Sequence, residues 1–345
     1  MPANKKQKEW VNLPIPKVFP QNYLSLVEQR GGSVPHVLRQ AKLKPDFLTQ
    51  PGTEVSLKDF HNLVNAVVES IGDDGIGLEA GYQLPPTAYG NFGYALLCSE
   101  TLKQAVEVCE RFWHLIARGI DVHTSTQNDE FIVELSLRIE ADDPLRKLSL
   151  EGSVSSIYRG FQLLLNNNEA NGELWFDFPD PHYKNPIIKK FGHIRYGMPA
   201  TQFRFNKNQL DHKIEMANPT GFKFAIEQCE REDALSDFGS SQTVSRVRKE
   251  MVFGVDGYPD LEELSQKLNM TARTLRRKLE QEGSKYSTLL EQARRRDAVN
   301  LLDSPDLDIQ KVAELLGYAD PANFTRAFRN WTGQTPSQYR ETRKK

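Results

Sequence analysis

Apolar side chains recur at helical spacing in several segments of the first 235 residues. In Leu102–Ala117 they stand three or four positions apart and form one wide stripe, as in a helix that faces a core. The other segments with this spacing are Asn22–Arg30, Leu57–Ile71 and Leu148–Leu165. The pattern therefore predicts several core-facing helices in this part of the chain.

Four further stretches combine β-branched and aromatic residues with partial alternation, which predicts strands. They are Ile120–Thr126, Phe131–Ile139, Glu173–Phe178 and Ile194–Phe205. Asn128-Asp129 lies between the first two stretches and predicts a hairpin turn. Because helices and strands follow one another in no regular order, the sequence predicts an α+β domain and not a regular βαβ series.

The strand patterns end at a polar stretch, Arg231–Thr243, which contains Gly and a Ser pair and predicts a linker. Everything from Val244 onward has the pattern of short helices separated by turns. We therefore predict an α+β domain over residues 12–235, a linker over 236–243 and an all-α domain over 244–345.

The all-α part contains an internal duplication. Leu264 and Leu268 match Val312 and Leu316 at a separation of 48 residues, and Leu275 and Leu279 match Phe324 and Phe328 at 49 residues. Each set has the pattern of a helix-turn-helix, with the second turn one residue longer than the first. We predict the first unit at about 261–282 and the second at about 309–331. Thr271 and Asp320 are expected as helix N-caps, with Pro321 at the first helical position.

The second helix of each unit presents polar side chains on the face opposite its apolar pair. Arginine can bond guanine and asparagine can bond adenine through two hydrogen bonds in the major groove, whereas Lys and Thr suit phosphates. Arg277 and Arg326 fall at the same place in the duplicated frame, two residues before the second buried apolar residue. The predicted DNA-binding residues are Thr271, Arg273, Thr274, Arg276, Arg277, Lys278, Asn323, Thr325, Arg326 and Arg329.

A long helix is predicted between the two units, over about 286–303. Eighteen helical residues span about 27 Å. Such a strut would set two recognition helices roughly 34 Å apart, which is one turn of duplex DNA. We therefore expect double-stranded DNA as the partner, in an operator with two elements about one turn apart.

Charge and cysteine content are compatible with a cytoplasmic protein that binds DNA. The net charge is −2, but residues 258–345 hold 16 Lys and Arg against 13 Asp and Glu, which favours an anionic partner there. The three cysteines lack metal-ligand spacing and are expected as buried or free thiols in the reducing cytoplasm. No apolar run approaches the roughly 18–20 residues of a membrane span, so no membrane is expected.

Three other interpretations of the C-terminal part are alternatives to sequence-specific DNA binding. The C-terminal part could be a plain helical bundle with solvated arginines, although a duplication with aligned arginines makes this much less favoured. It could tether an enzyme to DNA, but the chain has no G-x-S-x-G, Walker or H-E-x-x-H motif, and no cofactor is expected. A non-specific architectural protein would show no base preference at Arg277 and Arg326.

The run from Ile309 to Tyr339 closely resembles the C-terminal signature of AraC/XylS-type transcription regulators. The shared features are the Val312-Ala313 helix, the Gly317-Tyr318 turn, Phe324–Phe328 and Thr332–Pro336, together with Arg273–Leu279 upstream. This resemblance implies that Arg273, Arg276 and Arg277 read bases in one groove segment. It implies the same of Asn323, Thr325 and Arg326 in the next.

The N-terminal domain is similar to the larger effector domain of one AraC subgroup, through Gly77–Gly81, Tyr89–Leu97 and Trp175–Phe178. The resemblance implies an effector-responsive regulator, expected to be an activator of a metabolic or virulence operon, that contacts RNA polymerase. This domain is expected to bind a small effector, an amino acid or a fatty acid, and to assist formation of a homodimer. The candidate effector-binding residues are Tyr89, Tyr94, Trp113, Arg118, Tyr158, Arg159 and Trp175.

Overall fold

The computed structural model describes residues 14–48, 55–137, 141, 143–166, 171–235, 242–254, 257–281, 284–304 and 306–343. Residues 236–241 of the predicted linker lie outside this set. So do residues 12–13, 49–54, 138–140, 142, 167–170, 255–256, 282–283, 305 and 344–345 of the predicted elements and domains.

The described residues form two compact units. The first unit holds the described residues up to Leu174, Pro181–Ile194, and Gln202 to residue 235. The second unit holds the described residues from 242 onward and also two earlier segments, Trp175–Asp180 and Arg195–Thr201. The chain therefore contributes to the second unit at three separate places. No helix among the described residues is long and apolar enough to cross a membrane.

The N-terminal part is an α+β fold, as the sequence predicts. Its helices are α1 (Val18–Gln29), α2 (Val34–Gln40), α3 (Leu57–Ile71), α4 (Ile76–Gln83), α5 (Gly90–Cys98), α6 (Leu102–Ile116), α7 (Leu145–Leu164) and α8 (Pro219–Leu235). Its strands are β1 (Pro14–Ile15), β2 (Val55–Ser56), β3 (Ile120–Gln127), β4 (Glu130–Leu137), β5 (Gly172–Trp175), β6 (His193–Arg195) and β7 (Thr201–Asn206).

Five of these strands form one sheet in the order β3-β4-β7-β5-β6. The predicted hairpin is confirmed: β3 pairs with β4 from Ile120↔Leu137 to Gln127↔Glu130, and Asn128 in the turn has φ +51. The stretch predicted as one strand over Ile194–Phe205 is instead divided into β6 and β7. Gly197, with φ +67, lies in the interruption, and Pro199 there has no N–H for a ladder.

Helices α4 and α7 cross at very close range because both carry glycine at the crossing. A Cβ atom built on Gly81 would lie 2.0 Å from the carbonyl oxygen of Gly152. No larger residue fits at position 81 unless the helices move apart. On the sheet side of α7, Phe161 packs against Phe203 and Phe205 with ring centroids 4.9 and 4.7 Å away. Helix α7 thus joins the helical layer to the sheet.

Glu151 of α7 is a buried carboxyl group. One of its oxygens accepts a hydrogen bond from the Tyr183 hydroxyl at 2.8 Å, and the other is buried without a hydrogen-bond partner. The pKa of Glu151 is raised to about 8, mainly by burial. The Asp73 carboxylate also raises it, whereas the Tyr183 hydroxyl and the Lys147 ammonium group lower it. This side chain is therefore mainly protonated at neutral pH.

The C-terminal part is all-α, as predicted. Its helices are α9 (Gln242–Glu250), α10 (Leu261–Lys267), α11 (Ala272–Gln281), α12 (Tyr286–Asp303), α13 (Ile309–Leu315), α14 (Pro321–Thr332) and α15 (Pro336–Arg343). Two apolar clusters organise them. One gathers residues of α9 to α11 and the start of α12, and the other gathers the end of α12 with α13 to α15, Trp175 and Met198.

Candidate DNA-binding surface and effector cavity

The first helix-turn-helix consists of α10 and α11. Asp260 and Glu263 form a capping box at the start of α10, with both hydrogen bonds at 2.8 Å. The Thr271 hydroxyl accepts a hydrogen bond from the backbone N–H of Thr274 at 3.2 Å, so it caps α11 as predicted. The four leucines of the predicted frame are buried: Leu264, Leu268, Leu275 and Leu279.

The second helix-turn-helix consists of α13 and α14. Asp320 accepts a hydrogen bond from the N–H of Ala322 at 2.8 Å, and Pro321 occupies the first turn. Phe324 and Phe328 are fully buried beside Val312 and Leu316. Five residues separate α13 from α14, against four between α10 and α11, which confirms the longer second turn.

Helix α12 packs against both helix-turn-helix units. Leu289 and Ala293 belong to the first apolar cluster, whereas Ala298, Val299 and Leu302 belong to the second. Arg294 donates to the Gly317 carbonyl in the second turn at 2.9 Å, and its guanidinium lies 4.8 Å from the centre of the Tyr318 ring. Tyr258 donates to Asp297 at 2.8 Å. Some charged residues of this strut are thus structural.

The side chains predicted to bind DNA lie on the outward faces of α11 and α14. Thr274 and Thr325 are half-buried, and the Thr274 hydroxyl lies 2.9 Å from that of Thr271. Asn323 accepts a hydrogen bond from Arg326 at 3.3 Å. The exposed members are Thr271, Arg273, Arg276, Arg277, Lys278, Asn323, Arg326 and Arg329.

A largely apolar cavity lies within the first unit. Residues from α1, α3, α4, α7 and the segment from the end of α6 to the start of β3 line it. Its apolar walls with a few polar groups are typical of a small-molecule site. Arg118 is the one charged residue among the described residues that line it; its polar neighbours there include Asn22, Ser149 and Ser156.

The structure brings together three of the predicted effector residues in this cavity: Tyr89, Trp113 and Arg118. The Tyr89 hydroxyl lies 2.6 Å from the Ser156 hydroxyl, and burial raises the pKa of Tyr89 to about 12. The indole N–H of Trp113 is buried without a hydrogen-bond partner.

The other four candidates do not line this cavity. Tyr94 is exposed on α5. Tyr158 is buried and accepts a hydrogen bond from the Gly192 N–H, and the Arg159 guanidinium stacks on Tyr82 at 5.1 Å. Trp175 is buried in the second apolar cluster of the second unit. Asn22, Ser149 and Ser156 also line the cavity, but the sequence does not predict this. Small polar residues are brought to a cavity only by long-range packing.

The two helix-turn-helix units with exposed basic helices, joined to a domain with a largely apolar cavity, define a DNA-binding transcription regulator. The model of the arabinose-binding N-terminal domain of AraC transcription regulators matches residues 31–214, and that of a helix-turn-helix domain matches residues 264–342. Since the first match covers more than half of the chain, this protein belongs to the AraC family of transcription regulators. The predicted family is confirmed.

Several named proteins are similar to it over most of their length. The ornithine utilization regulator of Pseudomonas aeruginosa is 28% identical over 95% of this chain and 96% of its own. The regulator VqsM of the same organism is 27% identical over 79% of this chain and 84% of its own. The crystal structure of CdpR from P. aeruginosa is 24% identical, covers 94% of this chain and 98% of its own, and has a TM-score of 0.41.

Proposed function

We propose that this protein is an effector-responsive activator that recognises a two-element operator through both helix-turn-helix units. The observation that supports this most strongly is the duplicated frame, in which Arg277 and Arg326 are both exposed two residues before a buried apolar residue. Helix α12 packs on both helix-turn-helix units, so the two recognition helices are presented at a fixed separation. An operator with two elements about one turn apart matches such an arrangement.

The proposed roles of the exposed residues follow from their hydrogen-bonding groups. Arg273, Arg276 and Arg277 contact base edges in one major-groove segment, and Asn323, Thr325 and Arg326 contact those in the next. Thr271, Thr274, Lys278 and Arg329 contact phosphates. Pro321 and Ala322 supply no group that can contact a base edge at the start of α14. The second helix-turn-helix therefore relies more on phosphate contacts than the first.

The proposed effector is a small molecule bound in the cavity of the first unit. This effector is an amino acid or a fatty acid, and the name of one relative refers to ornithine utilization. Trp113 and Ile116, near the end of α6, line the cavity. Their neighbour His114 contacts Asp233 of α8 at 2.7 Å, three residues before the undescribed segment 236–241. Effector binding would therefore act on the end of α8, from which the chain continues to the DNA-binding helices.

The remaining partners belong to the same proposal. The regulator acts in the bacterial cytoplasm, where its DNA is, and contacts RNA polymerase at a metabolic or virulence operon. The N-terminal domain also assists formation of a homodimer. Effector binding shifts the population between a state with low and a state with high occupancy of the operator.

Selection of bound duplexes from a random DNA pool tests the DNA-binding proposal, with Arg277→Ala and Lys278→Ala as a matched pair on α11. The intact protein should enrich two short elements about one turn apart. Arg277→Ala should relax base preference within one element at a cost of about 1–3 kcal/mol, because it removes a base contact. Lys278→Ala should weaken all sequences alike and reduce the salt dependence of binding, because it removes a phosphate contact. Identical behaviour of the two variants would contradict these roles, and unenriched DNA would contradict sequence-specific binding.

A further inference from the structure

A second cavity adjoins the effector cavity within the first unit. Helices α5, α6 and α7 and strands β3, β4 and β7 line it, and its walls are almost entirely apolar. Among the described residues that line this second chamber, none is charged. Apolar space of this kind is suited to the apolar part of a ligand, because it offers water too few polar partners.

The two chambers share three wall residues: Tyr89, Trp113 and Ser156. The contact between the Tyr89 and Ser156 hydroxyls, at 2.6 Å, therefore lies at the boundary between them. Trp113 lies at the same boundary, and its buried indole N–H lacks an acceptor. A buried donor without a partner costs about 1–3 kcal/mol, so an acceptor atom supplied by a ligand would be favoured here.

The charges of the lining residues restrict the head group of the ligand. Arg118 in the first chamber suits a carboxylate, with which arginine can form two parallel hydrogen bonds. No aspartate or glutamate is among the described residues that line either chamber. A basic amino acid would therefore bury its ammonium group without a counter-charge, which is costly.

We propose that the two chambers form one site for an amphipathic carboxylate, with its head group beside Arg118 in the first chamber and its hydrocarbon chain passing between Tyr89, Ser156 and Trp113 into the second. This inference rests on the proposed effector-binding role of the first cavity. It adds the chemical class of the ligand and a boundary that determines the preferred chain length.

A matched set of ten-carbon probes tests the head group with the full-length protein. Decanoate should bind about 10- to 100-fold more tightly than decanol or decylamine, because only decanoate can form a charge-assisted pair with Arg118. Arg118→Gln should remove this preference while retaining binding of decanol. Titration calorimetry measures each affinity, and tighter binding of decylamine or of ornithine than of decanoate would overturn the proposal.

A chain-length series from hexanoate to dodecanoate tests the second chamber. Affinity should rise about fourfold for each added methylene as the chain enters apolar space. Ser156→Phe, which adds bulk at the boundary, should stop this rise at a shorter chain, whereas Ser156→Ala should keep it, because it removes the hydroxyl without adding bulk. Identical series for the two variants would overturn the role of the boundary.

A photoreactive decanoate with a terminal diazirine gives a readout on the unmodified protein that does not depend on the folding of any variant. Cross-links to Phe161, Phe203 or other residues of the second chamber would support the proposal, and cross-links confined to the first chamber would overturn it. Operator affinity measured with and without saturating decanoate keeps the two proposals apart. Binding without any change in DNA affinity would contradict the effector role alone, whereas an effector of another class would leave that role intact and overturn this inference.

Discussion

At the scale of single residues, Glu151 shows how one buried group links stability to pH. Its pKa of about 8 in the folded protein exceeds the ordinary value of 4.5, because burial disfavours the charged form. Between these two values the unfolded chain gives up its proton and the folded chain keeps it. The contribution of Glu151 to the free energy of unfolding is therefore complete below pH 4.5 and declines as the pH rises to about 8.

We expect Glu151→Gln to remove this decline, because glutamine stays neutral and can still accept a hydrogen bond from Tyr183. The free energy of unfolding of the wild type should fall relative to the variant by about 1.4 kcal/mol per pH unit in this range. Urea unfolding at pH 5, 6, 7 and 8 measures the difference. A constant difference across the range would show that Glu151 ionises in the folded protein much as it does in the unfolded chain.

The burial of Glu151 could have been suspected from the sequence. It stands three residues after Leu148 and seven before Tyr158, on the apolar stripe of a predicted helix. The outward arginines of α11 and α14 were predicted in the same way, since helical spacing decides which side of a helix a residue occupies. The contact of Arg294 with Gly317 and Tyr318 could not be predicted from the sequence. It joins α12 to the turn before α14, and helical spacing does not predict how two elements pack against each other.

At the scale of elements, the crossing of α4 and α7 depends on two glycines. The carbonyl oxygen of Gly152 occupies the space that a side chain at position 81 would need. Backbone atoms cannot rotate out of the way as a side chain can. The two helices would therefore have to separate, and both of them contribute to the wall of the effector cavity.

Gly81→Ala is expected to destabilise the protein by about 1–3 kcal/mol through this overpacking. Gly160→Ala, on the same helix α7, is the matched control, because its new methyl group would lie 3.9 Å from Pro86, an ordinary contact. The control should stabilise the protein by about 0.5–1 kcal/mol, since alanine is the better helix former. Chemical unfolding of both variants measures these changes; equal effects would mean that the crossing tolerates a side chain.

The elements themselves could be predicted where their apolar pattern was strong. The duplicated helices, the hairpin at Asn128 and helix α3 over Leu57–Ile71 are present as predicted. The stretch Ile194–Phe205 was predicted as one strand because its aromatic and β-branched residues outweighed Gly197 and Pro199. The effector cavity was only partly predicted, because its walls come from segments more than 130 residues apart in the chain.

At the scale of the whole molecule, the proposed recognition of a two-element operator depends on the distance between the two recognition helices that α12 holds. Because α12 packs on both helix-turn-helix units, the protein has little freedom to follow a change in the spacing of its DNA elements. Five added base pairs would also place the second element on the opposite face of the duplex.

Inserting five base pairs between the two elements of a selected operator should therefore weaken binding on the order of 100-fold, through loss of one unit's contacts. A duplex with the same number of base changes in the spacer but no change in length is the control. Electrophoretic mobility shifts at constant salt measure both affinities. Unchanged affinity after the insertion would mean that the strut bends or that one unit binds alone.

The composition of the second unit bears on how such regulators can exchange parts. Trp175 and Met198 share an apolar cluster with Phe324 and Phe328, and Asp177 pairs with Arg295 at 3.2 Å. A recombination event with one crossover near residue 240 would transfer the recognition helices without Trp175, Asp177 and Met198, the residues that contact the C-terminal helices. The new combination would be assembled from sequences that had not evolved to fit each other. New operator specificities in this lineage are therefore expected to arise more readily by point substitution on α11 and α14 than by shuffling of whole domains.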